Sequence, residues 1–133
     1  SKMNRVEVAG ETAEPQRLKP DADRTKTALG MQVTLTTDKL KVGEATHLNF
    51  EVKDERTQRP ITNLQPYLGV VGHVVILSEN TESYLHVHPI DGQTSGPNAK
   101  FMTTFPKSGL YKLWGQFKHN DQVLTVPYVI EVP

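Results

Sequence analysis

The sequence predicts an antiparallel β-sandwich of about seven strands, and three observations carry that expectation. Apolar residues recur every second position in several short segments, the signature of half-buried strands. Polar and glycine-containing turns separate these segments at regular intervals, as in two-layered all-β domains. No long stretch shows the 3.6-residue apolar period of an amphipathic helix.

Taken in order, residues 1–29 stand apart. They hold six Lys/Arg, five Asp/Glu, two prolines and no aromatic residue. Such a composition buries little apolar surface to offset ordering entropy, so the expectation is a flexible tether. The folded domain is expected over residues 30–133. Met31, Val33 and Leu35 alternate with Gln32, Thr34 and Thr36 as a first strand. After a turn at Gly43-Glu44, Leu48, Phe50 and Val52 alternate with His47, Asn49 and Glu51 as a second. Residues 54–69 read as a connection, with a short strand near Ile61.

Val74–Leu77 is a compact β-branched and aliphatic run, followed by a polar turn over Ser78–Ser83. Tyr84–His88 alternates again, with Leu85 and Val87 on one face. Residues 91–100 are a loop rich in Gly, Pro, Ser, Thr and Asn. Phe101–Phe105, Leu110–Phe117 and a last strand ending near Val132 complete the set, the final two joined by a turn at His119-Asn120-Asp121-Gln122. The expected core includes Phe50, Val52, Leu85, Val87, Leu113 and Phe117. Tyr111, just after Ser108-Gly109, resembles the corner tyrosine of immunoglobulin-like sandwiches. Trp114 shares its face with Lys112, Gln116 and Lys118, so partial exposure is expected.

Composition narrows the function. Fifteen Lys+Arg balance fifteen Asp+Glu, which argues against a dedicated nucleic-acid binder. No apolar run approaches the roughly 18–20 residues of a membrane helix. With no cysteine, thiolate nucleophiles, iron–sulfur clusters, thiolate zinc sites and blue copper are excluded. Elbow, phosphate-loop and HExxH signatures are absent too, so the expectation is a protein that is not an enzyme. Ser1-Lys2-Met3 reads as a processed or cloned terminus, with any export signal lying outside this chain.

One constellation carries chemistry. His73 opens one predicted strand, and His86 and His88 sit in the next. Residues two apart in a strand project from the same face, with Cα atoms roughly 6.5–7 Å apart. Two such imidazoles can converge on one ion with metal–nitrogen lengths of about 2 Å. An even-length loop, such as residues 80–83, would set Glu79 opposite Tyr84 and His73 opposite Ile90, on the face of His86 and His88. An odd-length loop would turn His73 to the other face. Three neutral imidazoles with an open position suit copper first and zinc second. The plainer reading is that these histidines are solvated surface residues. His47 and His119 are expected to be solvated, although either, or the soft thioether of Met102, could add a ligand. Of the nearby carboxylates, Glu79, Glu82 and Asp91, the last belongs to an Asp91-Gly92 turn. Asp91 follows His88 too closely for the carboxylate ligand of a cupin.

The segments Leu40-Lys41-Val42-Gly43-Glu44 to Leu48-Asn49-Phe50-Glu51-Val52, Gly72-His73, Leu85-His86-Val87-His88-Pro89 and Phe105–Trp114 resemble motifs of YtkA-like secreted bacterial β-sandwich domains. The resemblance covers roughly residues 31–133. It implies an immunoglobulin-like or cupredoxin-like sandwich, an exported location (periplasmic or extracellular, with a lipid anchor before processing as one form) and a setting of heavy-metal or copper handling. It implies no enzymatic activity. The expected function is therefore metal binding, delivery or sensing at His73, His86 and His88, with another exported or membrane protein as partner. The alternative is a protein–protein interaction module with surface histidines and no metal.

Overall fold

The computed structural model describes residues 18–80, 82–93 and 95–133, and in it eight strands form two antiparallel sheets. The strands are β1 (Thr25–Ala28), β2 (Met31–Thr37), β3 (Ala45–Asp54), β4 (His73–Ser78), β5 (Val87–Pro89), β6 (Asn98–Thr104), β7 (Gly109–His119) and β8 (Gln122–Val132). One sheet runs β1-β2-β3-β6-β5 and the other β4-β7-β8, packed as a sandwich. Among the described residues there is no helix, and so none long and apolar enough to cross a membrane.

Alternation in the sequence becomes alternation in burial. Thr46, Leu48, Phe50 and Val52 of β3 are buried, while His47 points to solvent. Phe50 is the hub of the core. Its ring lies 5.8 Å from Phe101 in the same sheet, and 5.4 Å and 5.9 Å from Phe117 and Tyr128 across the sandwich. The Tyr128 hydroxyl donates to the Val33 carbonyl at 2.8 Å, tying β8 to β2 through the interior. Burial pushes the Tyr128 phenol well above its ordinary value, with Asp21 adding to the shift.

Two glycines make room for this hub. A Cβ on Gly115 would stand 3.0 Å from the Phe117 ring and 3.1 Å from that of Phe50, and one on Gly72 would stand 2.7 Å from Phe117. The Tyr111 hydroxyl donates to the Lys107 carbonyl at 2.6 Å, which is the corner-tyrosine bond expected from the sequence. Of the expected core, Phe50, Val52, Leu113 and Phe117 are fully buried, whereas Leu85 and Val87 are half-buried at its margin.

Two departures from expectation stand out. First, residues 18–29 are not a tether, since β1 pairs with β2 from Thr25↔Thr34 to Ala28↔Met31. The Asp21 N–H donates to the Val129 carbonyl, and the Asp21 carboxylate accepts the Val129 N–H, both at 2.8 Å. Composition misleads here because an edge strand is held by backbone pairing, which polar residues provide as well as apolar ones. The expectation for residues 1–17 lies outside the described residues.

Second, β4 and the following segment pair only near the turn. Ser78 N–H donates to Ser83 O at 3.0 Å and Leu85 N–H to Ile76 O at 2.9 Å, with Leu77 opposite Tyr84. The chain then leaves for the other sheet, where β5 joins β6 and Val87 packs against the core.

Truncating Phe50 or Phe117 to Ala is expected to cost about 3–5 kcal/mol in urea unfolding, and losses below about 1 kcal/mol at both positions would show that these rings do not carry the inter-sheet packing. A chain starting at residue 29 is expected to be less stable than one starting at residue 18 by more than about 2 kcal/mol, since it loses several backbone hydrogen bonds worth about 1 kcal/mol each. Equal unfolding midpoints would mean that β1 and Asp21 add nothing. The β1–β2 turn places Leu29 and Gly30 at φ 51° and 75°, a conformation that favours Asn-Gly. Leu29→Asn is expected to raise stability by about 1 kcal/mol, because a branched residue pays to adopt it; an unchanged or lower melting temperature would contradict this.

Candidate metal centre

His86 and His88 stand on the outer face of the five-stranded sheet because Val87 between them turns inward. Their rings lie 4.1 Å apart, centroid to centroid, edge to face, and both are exposed. The backbone beneath them is pinned at both ends. The buried Thr103 hydroxyl donates to the His86 carbonyl at 2.8 Å, and His88 pairs with Met102 in the β5–β6 ladder. Beyond Pro89, the Gln93 side-chain amide donates to the carbonyls of Ile90 at 2.7 Å and Lys100 at 2.8 Å, while its oxygen accepts the Lys100 N–H. Pro89 suits this edge strand, where a missing N–H breaks no ladder.

Met102 lies directly opposite His88, on the same outward side, and half-buried. The two histidines, Met102, Thr103, Thr104 and Ala45 line a shallow depression of about 280 Å³. Two imidazoles and a thioether therefore share one surface. Soft sulfur with imidazole nitrogen suits Cu(I), and imidazole alone suits Cu(II) or zinc.

His47 occupies the other side of Met102, since β3 and β6 pair His47 with Met102. Its ring Nδ1 lies 2.7 Å from Asp38 Oδ2, and its backbone N–H donates to the same oxygen at 2.9 Å. The backbone bond from His47 first, and its ring second, hold the Asp38 carboxyl below its ordinary value. Sequence reasoning placed His47 in solvent, and exposed it is. What it missed was the register. No local spacing relates His47 to Met102, because the pairing joins strands more than fifty residues apart.

His73 is placed elsewhere. It pairs with Gln116 in the three-stranded sheet, its Nε2 lies 2.9 Å from the Tyr67 carbonyl, and its ring meets that of Tyr67 edge-on at 5.1 Å. The expected hairpin would have brought it beside His88, but the crossing between sheets after Leu85 separates them. His119 ends β7 with Nε2 3.0 Å from Asn63 Oδ1. Glu79, Glu82 and Asp91 line none of the depression. Among the described residues, no three His, Asp or Glu side chains gather as a metal-binding group. The structure thus brings together His86, His88 and Met102, with His47 nearby in register.

No curated protein matches the chain significantly. Solved structures that share its architecture include the following two. A DUF4426 family protein from Pseudomonas aeruginosa PAO1 aligns with a TM-score of 0.54 at 7% identity, covering 83% of this chain and 96% of that one. The ZirS C-terminal domain aligns with a TM-score of 0.50 at 13% identity, covering 99% of this chain and 89% of that one. At such identities the likeness is one of fold alone. A family described as Domain of unknown function (DUF8832) matches residues 26–133, from within β1 through the end of β8, and the chain belongs to it.

Proposed function

We propose that this chain is an exported, non-catalytic copper-handling protein that holds the ion at His86, His88 and Met102. The observation that supports it most is the pair of imidazoles 4.1 Å apart beside the thioether that faces His88 across the ladder. A two-imidazole, one-thioether set is satisfied by Cu(I), which accepts low coordination numbers and soft donors. Zinc is the second candidate and would draw less from Met102. His73 is left outside the ligand set, because it lies in the other sheet with its Nε2 engaged by the Tyr67 carbonyl. An exposed site on a short edge strand releases its ion readily, which fits delivery to, or sensing with, another exported or membrane protein. The resemblance to YtkA-like domains supports the exported location.

Titrating Cu(I) anaerobically, and Zn(II) separately, into untagged protein tests this reading. His86→Ala and His88→Ala are each expected to lower Cu(I) affinity by at least about tenfold, the scale on which lost site contacts weaken metal binding. Met102→Leu is expected to weaken Cu(I) more than zinc, and His73→Ala and His119→Ala to leave both unchanged. Wild-type protein that takes no copper at micromolar concentrations would overturn the proposal.

A second reading, an interaction module without metal, draws on a different observation. Val75, Trp114 and Pro127 fall in one row across the outer face of the three-stranded sheet, with Val75 38% exposed. That reading is the one left by a negative copper titration.

A further inference from the structure

The two sheets differ in what they turn outward. Across the middle of the five-stranded sheet the outer rows read Thr34, Glu51, Asn98 and Thr36, Asn49, Lys100, the polar cover of a solvated sheet. Across the three-stranded sheet the middle rows read Val75, Trp114, Pro127 and Leu77, Lys112, Val129. Val75 is 38% exposed, and Tyr84, opposite Leu77 at the margin, is 71% exposed. From this face we infer that the three-stranded sheet docks on the same sheet of a second copy of this chain, as a weak two-fold dimer. The inference goes beyond the copper reading and does not rest on it, since His86, His88 and Met102 belong to the other sheet face.

The arrangement of charge names the occupant. Along the strands, the apolar rows are bounded by a cation at one end and carboxylates at the other. Lys118 stands beyond the row of His73, Gln116 and Thr125. Beyond Leu77, Lys112 and Val129 stand Glu131, paired with Leu110, and Glu79, whose N–H donates to the Leu110 carbonyl at 3.0 Å. A two-fold axis lying across the strands at Trp114 reverses the strand direction in the second copy. It sets Lys118 of each chain over the Glu131 and Glu79 end of the other, and it stacks the row of Val75, Trp114 and Pro127 on itself. One patch then serves both sides, as an isologous contact requires. An axis along the strands would instead set lysine over lysine and carboxylate over carboxylate, which like charge disfavours.

The polar residues of the face fit the same axis. In the single chain, Lys112 Nζ stands 5.0 Å from the centroid of the Trp114 ring. In the dimer Lys112 falls opposite Gln116 of the second copy. Gln116 donates its side-chain N–H to Thr125 Oγ1 at 3.3 Å, which leaves its amide oxygen to accept from that lysine. The size of the face sets the strength. The sheet is three strands wide, at about 4.8 Å each, and about nine residues long, at about 3.3 Å each, so it spans roughly 14 by 30 Å. Two such footprints hide roughly 800–900 Å², at the low end of specific interfaces, where association is transient. A central aromatic anchor carries most of such an interface, and the chain's single tryptophan occupies that centre.

The test uses the full untagged chain with a chelator present, so that no metal bridges two copies. Sedimentation equilibrium reads the mass, and front-face fluorescence reads Trp114. Raising the wild type from about 5 μM to about 500 μM is expected to move the mass toward that of a dimer and the Trp114 emission to shorter wavelength, as a weak interface of this size requires. Lys118→Glu and Glu131→Lys are each expected to weaken self-association by about tenfold, through like-charge contacts. An equimolar mixture of these two variants is expected to associate as the wild type does, because each mixed pair restores both contacts. Val75→Asp, a change at an exposed position that leaves the fold intact, is expected to abolish association. A wild type that stays monomeric at about 500 μM, with unchanged emission, would overturn the inference. So would a dimer that survives Val75→Asp, or a mixture of the charge variants that associates no better than either alone. Copper titration of the same variants reads the His86, His88 and Met102 site separately, so the two readings fail independently.

Discussion

Phe50 is the constraint on which the rest of the molecule depends. It reaches from the middle of the five-stranded sheet into the rings of Phe117 and Tyr128 on the other. Because side chains alternate along a strand, that single inward commitment also fixes what faces outward. With Leu48 and Phe50 inside, His47 must be outside, and with Phe101 and Thr103 inside, Met102 must be outside. The candidate metal face is thus the complement of the core. A one-residue slip between β3 and β6 would bury His47 and expose Phe50, a cost far larger than any surface interaction. The register of the site is guarded by the hydrophobic effect, and the site residues themselves need contribute nothing to it.

The glycines at 72 and 115 belong to the same constraint. Each leaves the volume that the Phe117 ring occupies, and Gly115 also leaves room for the Phe50 ring reaching over from the other sheet. Tyr128 then spends its hydroxyl on the Val33 carbonyl, which removes the cost of a buried phenol without water. This dense centre permits a loose margin. Leu85 and Val87 are half-buried there, where the chain leaves one sheet for the other and β5 runs for only three residues. The two neighbouring histidines therefore sit on a strand short enough to be an edge and anchored enough, through Thr103 and Gln93, to keep its place.

On the proposed metal-binding reading, separating core from site has a functional consequence. Exposed imidazoles on a sheet face cost little to hold and little to vacate, which suits exchange of an ion better than permanent storage. A resident cofactor would be expected deeper, with its ligands buried and their second nitrogens all engaged. Here one imidazole, His47, has its second nitrogen engaged by Asp38, while the paired rings of His86 and His88 stand open beside it.

The sequence by itself determined the sandwich, its inward residues and the HVH pair, because each is written in a period of two within a few neighbouring positions. Phe50, Val52, Leu113 and Phe117 are buried as their alternation requires, and His86 and His88 share a face for the same reason. Tyr111 and the turn at Asn120-Asp121 were equally local. Tertiary structure decided everything that depends on which strand lies beside which. It drew residues 25–28 into the sheet through backbone bonds that composition does not reveal. It carried the chain across the sandwich after Leu85, which left His73 in the other sheet, bonded to the Tyr67 carbonyl. And it set His47 opposite Met102, because long-range register is chosen by the packing of both inner faces at once, a sum over the whole core that no local segment contains.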